Sequence, residues 1–205
     1  MKRALVWGCG EIGQALIARL VAADWQVVGV ARQAVQLPVP VFEADFASPS
    51  AVQAAAFAIG QEFEAFDWYV YAAGDILVQP VQGLRVEDWQ RILNANLTGA
   101  FYTAQASLPL LDAGAAMAFV GAQQERMRLP GLAAYAAAKA GLEALAEVLR
   151  KETRRKVLVA RPGAVRTRFW AKVPFKLPPS AMSAELLAEK LIAAYTEGQQ
   201  GLVDL

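Results

Sequence analysis

Tyr135 and Lys139 lie four positions apart in an alanine-rich run from Leu132 to Arg150. On a helix that spacing puts both side chains on one face, one turn apart. An ammonium then sits near a phenol hydroxyl, and a positive neighbour favours the phenolate, so the tyrosine pKa is expected to fall. A tyrosine tuned toward neutrality exchanges a proton with a carbonyl or alcohol oxygen. A helix with one aromatic and one solvated lysine has the same spacing, so the pair gains meaning only from the rest of the chain. The 205 residues include no histidine, which removes Ser-His-Asp, Cys-His and His-metal chemistry together. Cys9 is the one cysteine, so no internal disulfide and no metal site is expected.

The elements that must position the pair begin at the N-terminus. Ala4-Leu5-Val6-Trp7 is a short apolar run that reads as a buried strand. Gly8-Cys9-Gly10-Glu11-Ile12-Gly13 follows, and Gln14 to Ala22 reads as a helix. This is G-x-G-x-x-G between strand and helix. Its glycines permit a tight turn and close approach of a pyrophosphate, which the free N–H groups of the helix N-terminus then face. A glycine-rich turn without a ligand is the plainer alternative. Trp25 to Val30 reads as a second strand leading into Ala31-Arg32. An acidic residue there would accept from the 2′-hydroxyl of NAD, whereas an arginine suits a 2′-phosphate through bidentate, charge-assisted hydrogen bonds. NADP(H) is therefore expected in preference to NAD(H), unless Arg32 is only a solvated surface residue.

Strand and helix alternate along the remaining chain. Strands are expected at Val41 to Ala44, Asp67 to Tyr71, Ala116 to Val120 and Val157 to Ala160, with an edge strand at Gly201 to Leu205. Ser48-Pro49 opens a helix that runs to about Phe63, with serine as N-cap and proline at the first position. Val86 to Gln105 reads as one long helix, in which Asn94 and Asn96 are poor interior residues. Asn96 marks a bend, a polar contact or simply an exposed position. Ser183 caps a last helix to about Tyr195. Phe169, Trp170 and Phe175, among prolines, suggest an apolar flap over a site, since three large aromatics are seldom exposed together. The pattern implies one α/β domain over residues 1–205. Its core would be a doubly wound parallel sheet of about six to seven strands with helices on both faces.

Composition narrows the partners. The chain is 56% hydrophobic and 19% charged with net charge +1, which suits a globular domain and provides no field to recruit nucleic acid or acidic membranes. The basic residues Arg150 to Lys156 are expected to complement a helix C-terminus. No run approaches the roughly 18 apolar residues of a membrane span. A lone cysteine suggests a reducing, cytoplasmic compartment.

In this order the motifs resemble the short-chain dehydrogenase/reductase family, over nearly the full chain. They are the glycine loop, Asp45-Phe46, Ala72-Ala73-Gly74, Asn96 in Asn-Leu-Thr-Gly, Tyr135-x-x-x-Lys139, and Pro162-Gly163 with Thr167. The resemblance implies a Rossmann fold and an NAD(P)-dependent oxidoreductase interconverting a carbonyl and an alcohol. Tyr135 would be the acid/base, Lys139 would lower its pKa and bind the nicotinamide ribose, and Asn96 would hold a relay water. Gly8, Gly10, Ile12, Gly13, Arg32, Asp45, Phe46, Ala72, Ala73 and Gly74 would contact the cofactor, as would Pro162, Gly163, Val165 and Thr167 at its nicotinamide end. Gln123, Phe169 and Trp170 would meet the small-molecule substrate. The family's long central helices imply a homodimer or homotetramer.

Two departures stand out. The glycine loop is one residue shorter than the family's common form, with Glu11 near the middle glycine's place, and Glu11 is expected to point away from the pyrophosphate. The family's serine, 13 residues before the tyrosine, is Ala122 here. Losing one donor to a developing oxyanion typically costs about a hundred- to a thousandfold in rate. Gln123 or Gln124 offers a replacement amide. The competing reading is a non-catalytic dinucleotide-binding sensor or regulator.

Overall fold

The computed structural model describes all 205 residues, the side chain of Gln124 excepted. Seven strands form one parallel sheet in the order β3-β2-β1-β4-β5-β6-β9. They are β1 (Arg3–Trp7), β2 (Gln26–Ala31), β3 (Val41–Glu43), β4 (Phe66–Tyr71), β5 (Leu111–Val120), β6 (Val157–Arg161) and β9 (Gly201–Asp204). A separate two-stranded ribbon joins β7 (Val165–Arg166) to β8 (Met182–Ser183). The order reverses beside β1, so the C-terminal ends of β1 and β4 open a crevice at the switch point.

Alternation along β1 shows why both faces are covered. Leu5 and Trp7 point to one face, with α2 (Pro49–Glu62), α4 (Gly99–Ser107) and α5 (Ala133–Thr153). Ala4 and Val6 point to the other, with α1 (Glu11–Ala22) and α6 (Ala184–Thr196). Buried polar tips on the first face find partners in α4. Trp7 Nε1 donates to Ser107 Oγ at 3.0 Å, and the Tyr69 hydroxyl meets Thr103 Oγ1 at 2.8 Å. No helix among the described residues is long and apolar enough to cross a membrane.

Two sequence expectations change. The run expected as a single helix from Val86 is α3 (Val86–Leu93), a π-turn (Asn94–Thr98) and then α4. Strand β5 starts at Leu111 rather than Ala116, but its pairing with β4 shifts register between Phe66 and Trp68. Regular pairing begins with Trp68 opposite Ala116, so the apolar pattern marked the regular part alone. The serine caps hold: Ser48 Oγ accepts from Ala51 N at 3.3 Å and Ser183 Oγ from Leu186 N at 3.1 Å.

Candidate active site

The glycine loop joins β1 to α1, and its glycines serve different ends. Gly8 has φ +106°, and a Cβ there would lie 2.5 Å from Ala73 N, so only glycine fits against the end of β4. A Cβ on Gly13 would lie 2.0 Å from the Gly8 carbonyl oxygen, so this residue lets α1 pack on its own loop. Gly10 meets nothing within 4 Å and lies open. It is also the N-cap of α1 and supplies no side-chain cap, in contrast to the serines of α2 and α6. The first-turn N–H groups of α1 are thereby left for a ligand.

Two adjoining clefts meet at this loop, sharing Gly10, Ala72, Ala73 and Gly74 as a neck. The outer cleft, about 780 Å³, is lined by Gly8, Arg32, Asp45 and Phe46 among others. Arg32 is exposed there; the Asp45 carboxylate accepts from Ala47 N at 3.0 Å, and the buried Phe46 ring packs edge-on to Trp7 at 5.5 Å. The inner cleft, about 530 Å³, brings together Tyr135, Lys139, Asn96, Gln123, Phe169 and Trp170. Ile12, Pro162, Gly163, Val165 and Thr167 line it too. Of the sequence-predicted site residues, Gly13 lines neither cleft.

The inner cleft contains the groups capable of chemistry. Tyr135 and Lys139 are both buried on α5. Lys139 Nζ donates to the Val120 carbonyl at 2.8 Å and lies 5.6 Å from the Tyr135 ring centroid. The expected fall in the tyrosine pKa is reversed in the chain itself: burial holds the phenol above its usual value. Burial also pushes Lys139 down to about 8. The helical spacing disclosed the charge partner but not the desolvation, which outweighs it. Among the described residues the Tyr135 hydroxyl has no hydrogen-bond partner, so it is free to face a ligand.

Asn96 is fully buried, not exposed, and the π-turn explains how it is held. A wide turn releases carbonyls from the helical ladder. The Ile92 carbonyl accepts from Asn96 Nδ2 at 2.9 Å, and the Ala95 carbonyl from the Tyr71 hydroxyl at 2.8 Å. Asn96 Nδ2 also donates to the Asp75 carbonyl at 2.7 Å. Its Oδ1 is buried without a partner among the described residues. A Cβ on Gly74 would lie 2.9 Å from that oxygen and 3.9 Å from Lys139 Nζ, so both polar atoms face one glycine.

The departures resolve unevenly. Ala122 is buried in a cluster with Tyr135 and Leu132, presenting a methyl where the family's serine would be. Gln123 lines the inner cleft beside Gly163, 3.8 Å from a Cβ built there, while the Gln124 side chain lies outside the described residues. Glu11 lines the inner cleft but is occupied, its Oε2 accepting from Arg168 N at 2.7 Å. The flap covers this cleft, and Phe169 tilts against the Tyr135 ring at 5.8 Å. Arg126 and Lys176, which no motif flagged, also line it. Arg166 and Arg168, which precede the flap aromatics, do not; the Arg168 side chain is 87% exposed.

Comparison with known proteins shows the family. The short chain dehydrogenase family profile matches residues 2–176. The chain belongs to that family of oxidoreductases. It is 34% identical over 166 residues to a D-threitol dehydrogenase of Mycolicibacterium smegmatis, covering 74% of this chain but only 64% of that relative's length. It is 26% identical to an uncharacterised oxidoreductase of Staphylococcus epidermidis, covering 96% of this chain and 91% of the relative. The fold superposes on an alcohol dehydrogenase from the archaeon Thermococcus sibiricus, complexed with 5-hydroxy-NADP, with a TM-score of 0.87. That match covers 100% of this chain and 96% of the other at 23% identity.

Proposed function

We propose that this short-chain dehydrogenase is an NADP(H)-preferring oxidoreductase that interconverts a carbonyl and an alcohol, with Tyr135 as acid/base. The reading rests on Tyr135, Lys139 and Asn96 sharing one buried cleft, with Lys139 Nζ and the orphaned Asn96 Oδ1 facing Gly74. The chain fits a dinucleotide on its own terms: an open Gly10, uncapped N–H groups on α1, and two clefts joined through a neck of small residues. Gly8, Gly10, Arg32, Asp45 and Phe46 would hold one end, and Pro162, Gly163, Val165 and Thr167 the other. When bound, the dinucleotide supplies or accepts the hydride.

The residues handle the proton. At neutral pH burial keeps the Tyr135 phenol protonated, while Lys139, with a pKa of about 8, is largely ammonium. That state is set for reduction: the phenol donates its proton to the substrate oxygen, and the ammonium stabilises the phenolate left behind. Asn96 Oδ1 is the acceptor for a water that returns a proton through Lys139. The largely apolar flap favours an apolar substrate. Exposed Phe101 on α4 and Val148 on α5 favour a homodimer or homotetramer. Cys9, the one cysteine, is free and buried, and a chain without disulfides fits a reducing, cytoplasmic setting.

Ala122 favours a second reading, a dinucleotide-binding sensor without turnover. NADPH consumption against aldehydes, ketones and quinones separates the two. Wild type is expected to turn over, and Ala122→Ser to raise kcat by about a hundredfold. Turnover confined to the serine variant establishes the sensor. Parallel titrations with NADPH and NADH test Arg32, and tighter NADH binding overturns the stated preference.

A further inference from the structure

One carboxylate at the neck of the clefts is not accounted for by proton transfer or by the family's motifs. Asp75 directly follows Gly74 and is buried. Its Oδ1 accepts from Ile76 N at 2.9 Å and from Lys172 Nζ at 2.6 Å; its Oδ2 accepts from Arg91 of α3. Three donors from three segments fix one carboxylate. The carbonyl of the same residue takes the Asn96 amide at 2.7 Å.

Lys172 belongs to the flap, whose base is closed by β7 pairing with β8. Beyond that base, the flap reaches the sheet side through two acidic anchors. Glu11, just after Gly10, takes the Arg168 N–H on one lip of the cleft, and Asp75, just after Gly74, takes Lys172 on the other. The Asp75 side chain is 13% exposed against 56% for Lys172, so the keeper is fixed and the flap residue is the part that can leave.

We propose that Asp75 is a positioning residue: its carboxylate fastens the flap over the inner cleft through Lys172, and its carbonyl sets Asn96. One residue thereby ties closure of the cleft to the placement of the relay amide. The flap arm stands apart from the reaction; the Asn96 arm rests on the oxidoreductase reading.

Trypsin reads the flap arm on the full chain without cofactor, through cleavage after Arg168 and Lys176, bonds present in every variant. Lys172→Met and Asp75→Asn should each speed cleavage about threefold, the size expected of a part-exposed ion pair. The double variant should be no faster than either single, and Lys172→Arg should match wild type. Lys172 is exposed, so its methionine variant decides the matter even if Asp75→Asn folds poorly. Wild-type cleavage rates in Lys172→Met, or multiplicative effects in the double variant, overturn the proposal. Steady-state kinetics read the other arm: Lys172→Met should raise KM at unchanged kcat, whereas Asp75→Asn should also lower kcat. Equal kcat in the two variants overturns the dependence of the Asn96 contact on the Asp75 carboxylate. If wild type shows no turnover at all, the oxidoreductase reading fails while the proteolysis still decides the flap.

Discussion

On one side of Gly74 the cleft is walled largely by backbone and small residues, Gly8, Gly10, Ala31 and Ala72, with Arg32, Asp45 and Phe46 beside them. On the other side it is walled by side chains with individual partners: buried Lys139 on the Val120 carbonyl, buried Asn96 on two carbonyls, and half-buried Phe169 on Tyr135. The first half offers shape and free N–H groups, which many sequences can supply. The second depends on particular functional groups in particular places, and there the chain departs from its family at Ala122. A dinucleotide cradle and a proton-transfer site thus meet different tolerances within one crevice, so damage to one half should leave the other legible.

The largest expected effect isolates the inner half. Tyr135→Phe keeps the ring against Phe169 and removes the hydroxyl. We expect kcat to fall by about a thousandfold or more, within the range for positioned acid/base groups, with NADPH affinity measured by fluorescence titration almost unchanged. A matching loss of affinity would mean the two halves are not separable. Next comes a contrast within the outer half. Gly8→Ala forces a Cβ to 2.5 Å from Ala73 N at a φ of +106°. Chemical denaturation should show a loss of about 1–3 kcal/mol, as for other overpacked sites. Gly10→Ala meets open space, and its stability should stay within about 0.5 kcal/mol of wild type. Equal losses in both would overturn the division of the loop into a packed and an open glycine.

A pH dependence follows. Lys139 is shifted down to about 8, so its ammonium is intact below that pH and lost above it. The phenol, shifted up, stays protonated throughout the range. Carbonyl reduction should be flat below about pH 7 and fall by up to about tenfold per unit above pH 8, as the charge that stabilises the phenolate disappears. A rate that climbs through pH 9 would assign the limb to another group.

Much of the outer half was legible in sequence, because a strand, a glycine loop and a helix are consecutive there and obey local rules. The motif marked Gly8 and Gly13 as cofactor contacts; Gly8 lines the outer cleft, whereas Gly13 lines neither and serves to pack α1 on its own loop. The inner half was legible as a set of residues but not as an environment. The i, i+4 spacing placed Lys139 by Tyr135, yet the direction of the tyrosine shift depends on burial beneath a distant flap. The contact between Asp75 and Lys172 spans 97 positions and leaves no local signal. The π-turn had one available clue, two asparagines in a helix interior, which suggested a bend without specifying its kind.

That π-turn also governs how the helical rod presents itself. Compared with an α-helix of the same rise it contains a surplus residue, which advances the phase of everything downstream by about 100°. Across the turn the partners change: α3 packs against α5, while α4 packs against α2. Buried positions nevertheless recur at near-helical spacing through the turn, from Ile92 to Asn96, Ala100, Thr103 and Ser107. By its packing partners the run is two helices, and Asn96 sits where one hands over to the other.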